Sequence, residues 1–92
     1  MAEIKKGDHK FYIGEDESNP VAQITYKDKD ASTIIADHTY VSEQLRGQGV
    51  AGQLFNELIA YAKEENKLIV PECSYVKAKM EKSSELQQLI SK

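Results

Sequence analysis

Apolar positions recur at two periods along this chain, and the change of period marks where strands give way to a helix. From Val21 to Lys27, the residues Val21, Gln23, Thr25 and Lys27 alternate with Ala22, Ile24 and Tyr26, the period-two pattern of a strand with one buried face. His9 to Gly14 is a second β-rich run, and Glu15 to Pro20 between the two has loop composition closing on a proline. The pair predicts two antiparallel strands. Asp28-Lys29-Asp30 predicts a turn of solvated charge, and Thr33 to Val41, rich in β-branched residues, predicts the longest strand. Strict alternation in that strand places His38 on one face with Ile34, Ala36 and Tyr40.

The period then lengthens. Val50, Ala51, Leu54, Phe55, Leu58, Ile59 and Ala62 recur at helical spacing, with Gln53, Asn56, Glu57, Lys63 and Glu64 between them, which predicts an amphipathic helix ending near Glu65. Asn66 suits a left-handed terminator, Leu68-Ile69-Val70 predicts a short strand buried on both faces, and Pro71 ends it. Strand, helix and strand form one βαβ unit, whose right-handed crossover predicts parallel neighbours with their carboxyl ends on one side. A short helix over Val76 to Lys82 and a final amphipathic one bearing Leu86, Leu89 and Ile90 follow, with Ser84 and Gln87 spaced as a capping box. The expected class is α+β: a mixed sheet of antiparallel N-terminal strands and one parallel crossover, covered by helices.

Composition narrows the function. At 92 residues and 40% apolar content, the chain is expected to form one small domain over residues 1–92, with no separate substrate domain. A net charge of −3 argues against a nucleic-acid partner, although Lys77, Lys79 and Lys82 lie close enough for a basic patch or a solvated helix face. No apolar run approaches a membrane span and Met1 to Lys10 is polar, so neither a membrane anchor nor a secretory signal is visible and a cytoplasmic protein is expected. The lone Cys73 excludes an internal disulfide and a multi-cysteine zinc site, and no metal is expected. Glu15-Asp16-Glu17 reads as solvated loop charge or as an attractor for a cationic acceptor.

Chemistry concentrates between the long strand and the long helix, at Arg46-Gly47-Gln48-Gly49-Val50-Ala51-Gly52. Glycines let a backbone approach a ligand, and the first amides of a helix have no partner within it and sit at its positive end, so the turn suits a pyrophosphate. Gly47 to Gly52 formally satisfies G-x-G-x-x-G, and Glu72 follows twenty residues later. That fingerprint belongs to the first strand of a doubly wound sheet, however, and here antiparallel strands come first. A nucleotide-hydrolase P-loop fails because no Gly-Lys-Ser/Thr closes the turn.

Arg46-x-x-Gly49-x-Ala51, set between a strand and an amphipathic helix, resembles motif A of the GCN5-related N-acetyltransferases. The resemblance runs from Phe11 to Val76 and takes in His38-Thr39-Tyr40-Val41 and Pro71-Glu72-Cys73-Ser74-Tyr75-Val76, which look like the very small, YjdJ-type branch. It implies that the turn binds the pyrophosphate of acetyl-CoA, and that the strand ending at Tyr40-Val41 splays from Leu68-Ile69-Val70 so that the pantetheine arm lies in the gap. Larger members place helices between their first two strands, where this chain has only Glu15 to Pro20. The expected activity is acetyl transfer to an unidentified amine, and the alternative is a CoA-binding module with little or no transferase activity.

The candidate cofactor residues are Tyr40, Val41, Arg46, Gly47, Gln48, Gly49, Val50, Ala51 and Gly52. The candidate catalytic residues are His38, Cys73 and Tyr75, each with an ordinary structural alternative. His38 can take the amine proton or simply pack within its strand. Tyr75 can protonate the departing thiolate, as a tyrosine in that region does in many relatives, or anchor a helix. Cys73 can carry the acetyl group in a two-step route or serve as a small apolar residue.

Overall fold

Ala22, Ile24 and Tyr26 need a cover on one side only, which a sheet with helices on that side supplies. In a computed structural model, described over residues 3–91, the elements are β1 (Lys5–Gly7), β2 (Lys10–Ile13), β3 (Ala22–Asp30), β4 (Thr33–Val41), a 3-10 turn (Glu43–Leu45), α1 (Val50–Glu64), β5 (Leu68–Pro71), α2 (Ser74–Glu81) and α3 (Ser84–Gln87). Met1 and Ala2, part of the polar start considered above, lie outside the described residues. The strands are ordered β1-β2-β3-β4-β5, antiparallel throughout except for the parallel pair β4 and β5. The α+β class and the single parallel crossover are both present.

Helix α1 buries Val50, Leu54, Phe55, Leu58, Ile59 and Ala62, and packs on β2, β3 and β4. These side chains join Ile24, Ile34 and Ile69, all fully buried, and Val76 and Met80 of α2 in one apolar cluster. Truncating a residue such as Leu58 to alanine removes that packing and costs about 2–5 kcal/mol. The helix ends where the sequence predicts. Asn66 takes φ 56, the Lys67 amide donates to Ala62 O at 2.8 Å and the Asn66 amide to Lys63 O at 3.3 Å, so the last carbonyls are satisfied by a Schellman turn.

Several expectations need correction. Asp28-Lys29-Asp30 is not a turn: β3 runs through Asp30, and the reversal falls at Ala31-Ser32, where the Asp30 carboxylate accepts the Ser32 amide at 2.9 Å. The first run begins at Lys10, since His9 stands in the preceding turn at φ 59, and an additional strand, β1, precedes it. Strand β5 is not buried on both faces. Ile69 is fully buried but Leu68 is 40% exposed, and Pro71 is the strand's last residue, opposite Ala36. The second helix starts at Ser74 rather than Val76. In the last helix Ser83, not Ser84, caps, its hydroxyl accepting the Leu86 amide at 3.4 Å. That helix is a single turn, and Ile90 beyond it bridges Ile69 at the sheet edge.

The acidic loop has local work to do. Glu17 accepts the Asp8 amide at 2.9 Å and Asp16 accepts both the amide and the hydroxyl of Ser18. His9 holds the β1–β2 turn to β3 through Asp8 and Asp28, each at 2.8 Å. Its hydrogen bond to Asp28, then that to Asp8, raises the imidazole above its ordinary value of 6.5. A group raised by folding stabilises the fold fully below its unfolded value, and loses that contribution as pH climbs through the folded one. Asparagine also tolerates the left-handed backbone. The melting temperature of the native chain is therefore expected to fall more steeply from about pH 6 to about pH 8 than that of His9→Asn; parallel slopes in the two proteins would show that the clamp has no such role.

Candidate active site

The passage from β4 to α1 is made of residues that leave their backbone accessible. Gly47 and Gly49 take φ 83 and 76, a region that disfavours side chains, and a Cβ built on either meets nothing within 4 Å. Gly49 is the N-cap of α1 with no side chain to cap it. The Gln48 amide donates to Leu45 O at 3.3 Å, whereas among the described residues no protein partner engages the amides of Gly47, Gly49, Val50, Ala51 and Gly52. A cavity of about 260 Å³ opens against them, lined also by Val41, Leu45, Arg46 and Tyr75. Unpaired amides at the positive end of a fifteen-residue helix have the chemistry that suits an anion. Arg46 is exposed and its Nε donates to Val41 O at 3.2 Å, which holds the guanidinium at the mouth of the cavity.

The parallel pairing of β4 stops short of that cavity. Strands β4 and β5 pair only from Thr33–Leu68 to Ala36–Pro71, and the Cys73 amide closes the ladder on Ala36 O at 2.9 Å. Beyond that point β4 continues to Val41 without a parallel partner. The pairing of β3 with β4 also changes there: Thr25 stands opposite His38 and Tyr26 opposite Ala36, so Asp37 is a bulged residue. The Thr25 hydroxyl donates to the Asp37 carboxylate at 2.6 Å.

The bulge overturns the expected grouping of His38 with Ile34 and Ala36. One extra residue reverses the alternation, so beyond Asp37 the half-buried positions are Thr39 and Val41, while His38 and Tyr40 are exposed beside Thr25 and Gln23. Thr39 faces α2, with its Oγ1 3.4 Å from Cys73 Sγ. Cys73 is the N-cap of α2; it makes no capping hydrogen bond of strict geometry, but the amides of Val76 and Tyr75 face its sulfur. Burial pushes the thiol up, and the Thr39 hydroxyl with the amides of Val76, Tyr75 and Thr39 outweighs it, leaving the thiol below its ordinary value. Burial, followed by the neighbouring charge of Cys73, raises the Tyr75 phenol, so that it keeps its proton.

Tyr75, two residues after Cys73, lines the glycine cavity. Its ring stands edge-on to Phe55 at 6.4 Å between centroids, and its hydroxyl lies 3.8 Å from where a Gly52 Cβ would sit. The structure thus gathers Val41, Arg46, the glycine turn and Tyr75 at one cavity and sets Cys73 and Thr39 at the neighbouring strand gap, with His38 and Tyr40 on the opposite sheet face. Thr39 was missed in the sequence because its direction depends on a bulge that no residue type announces. Among the described residues no group of three or more histidine, cysteine or acidic side chains is placed to hold a metal, and no helix is long and apolar enough to cross a membrane.

A family profile described as GCN5-related N-acetyltransferase matches residues 10–89. The chain belongs to that family. As a GCN5-related N-acetyltransferase it is similar to the solution structure of a GCN5-like protein from Staphylococcus aureus, with 43% identity over 98% of this chain and 88% of that one and a TM-score of 0.80. It shares its fold with a GNAT family acetyltransferase from Elizabethkingia anophelis, at 18% identity, a TM-score of 0.56, and coverage of 79% of this chain and 50% of that one. No curated protein matches the chain.

Within this acetyltransferase the state of the Cys73 thiol is open to direct measurement. Removing the Thr39 hydroxyl by Thr39→Val deletes one donor to the thiolate, worth about 1 kcal/mol, so at neutral pH alkylation by iodoacetamide is expected to slow about fivefold. The midpoint of its pH–rate profile should move up. An unmoved midpoint would show that Thr39 does not tune the thiol.

Proposed function

We propose that this chain transfers the acetyl group of acetyl-CoA to an amine, the free amides of Gly47 and of residues 49–52 holding the CoA diphosphate. The observation that carries the reading is the set of unpartnered amides facing a cavity of about 260 Å³ at the start of α1. Glycines at positive φ with open space where a Cβ would stand fit a ligand that lies against the backbone. The related fold from Elizabethkingia anophelis was crystallised with acetyl-CoA bound, which supports the same cofactor here. The pantetheine arm would run along β4 past Tyr40 and Val41 into the gap beyond Pro71, bringing its thioester toward Cys73 and Tyr75.

Transfer to an amine needs a nucleophile freed of its proton and a proton for the departing thiolate. Tyr75, whose phenol burial raises, is the residue we read as supplying the second. His38, exposed on the sheet face away from α1, is available to an acceptor arriving from that side and can take the amine proton. In the two-step route, Cys73 thiolate attacks the thioester carbonyl and CoA leaves with the proton of Tyr75, which regains one from water; the amine then attacks the acetyl carbonyl, gives its proton to His38 and releases Cys73 as thiolate. In the direct route the amine attacks the thioester itself and Cys73 only borders the acetyl group.

A coenzyme-binding module without transferase activity is the second reading, favoured by one observation: no helix stands between β2 and β3 to wall an acceptor pocket. Thiol release from acetyl-CoA across a panel of amines separates the two. Transferase function predicts amine-dependent release; binding without such release across the panel would favour the module.

Ala51→Glu isolates the diphosphate contact, because a carboxylate in the first turn suits the helix but repels an anion in the cavity. The expected result is an unchanged or slightly raised melting temperature and CoA affinity lowered at least about tenfold by calorimetry, a small part of the repulsion between charges at close range. Unaltered affinity would remove the turn from the binding site.

A further inference from the structure

Thr25 and Asp37 lie in the middle of the sheet and touch neither the glycine cavity nor Cys73. Their side chains nevertheless meet at 2.6 Å, the shortest side-chain hydrogen bond among the described residues, at the first of the two points where the β3–β4 register slips. Among the described residues no cation lies within ion-pair distance of Asp37, and the Thr25 hydroxyl is the side-chain partner of its carboxylate. A bulged residue leaves its ladder positions unfilled and is held by what its side chain finds. Here the side chain finds a hydroxyl one strand away.

The consequence follows from the period of a strand. Were Asp37 drawn back into regular pairing, Thr39 and Val41 would turn to the outer face and His38 and Tyr40 to the core. Thr39 would lose its contact with Cys73 and Val41 would leave the wall of the cavity. The same residue marks the end of β4–β5 pairing, since Ala36 is the last β4 residue opposite β5 and its carbonyl takes the Cys73 amide. The bulge therefore sets which β4 residues face α2, at the level where β4–β5 pairing ends.

We propose that Thr25 and Asp37 are positioning residues of the acyl site, their hydrogen bond locking the bulge that turns Thr39 onto Cys73. The inference rests on the reading that the acetyl group lies beside Cys73. Its test uses the full chain and needs no identified acceptor: iodoacetamide alkylation of Cys73 across pH, the Thr39 amide resonance, and calorimetric titration of CoA.

Thr25→Val keeps the shape of the side chain and removes the hydroxyl, while Asp37→Ala removes the acceptor. Both are expected to slow alkylation at neutral pH about fivefold, the worth of a lost hydrogen bond, and to move the Thr39 resonance. Thr25→Ser and Asp37→Asn retain donor and acceptor and are expected to restore the native rate. Ile13→Val, a loss of core packing away from the bulge, separates positioning from stability: it should lower the melting temperature and leave alkylation unchanged.

Native alkylation with an unmoved Thr39 resonance in Thr25→Val overturns the proposal, as does equal slowing by Ile13→Val. Should Thr25→Val fail to fold, the comparison of Asp37→Ala with Asp37→Asn decides alone, and equal rates reject the idea. Failure of the functional reading looks different. The native chain would then bind no CoA, whatever the alkylation rates of the variants.

Discussion

Between Thr25 and Tyr26 of β3, the facing strand β4 carries one residue more than can be paired, and the geometry of the site depends on how that local surplus is absorbed. Asp37 takes it up as a bulge at the level where β4 and β5 part. On the amino side of the bulge β4 is an interior strand, with Ile34 and Ala36 fully buried under α1. On its carboxyl side the strand has reversed its faces, and its edge toward β5 has no partner. A regular strand would extend the core but could not present Thr39 to Cys73 or leave main-chain groups free for a ligand.

Helix α1 serves the core and the site through different parts of one element. Its body buries six side chains and anchors the sheet, so its N-terminus is rigidly placed. Its first turn has no side-chain cap, and its amides remain unpaired beside glycines that expose them. A glycine N-cap without a capping side chain costs about a few tenths of a kcal/mol where no ligand fills it. An anion bound there supplies the missing acceptors. The start of α2 repeats the theme on a smaller scale, with Cys73 at its cap and two amides facing the sulfur.

Much of this was legible in the residues. The bounds of β4 and the course of α1 follow from β-branched content and helical spacing, and Asn66 ends the helix with the left-handed backbone its side chain tolerates. The glycine turn was legible too, because few other contexts need glycines between a strand and an amphipathic helix. Strand β1 was not, since Lys5-Lys6-Gly7 shows no alternation and is held by pairing with β2 rather than by its own pattern. The Asp28-Lys29-Asp30 extension was hidden for the same reason: exposed charged residues read as a turn, and only cross-strand pairing with β4 makes them strand. The faces of His38 and Tyr40 were misread because a bulge depends on two strands at once. A single strand's pattern cannot encode it.

The free amides at the start of α1 are the proposed seat of a diphosphate. Following the backbone amide resonances while coenzyme A is titrated tests it most directly. The account predicts saturable shifts at Gly47 and at residues 49–52, extending along β4 to Tyr40 and Val41 and reaching Cys73. Resonances that stay fixed at the turn, or that move only on another face of the sheet, would contradict it.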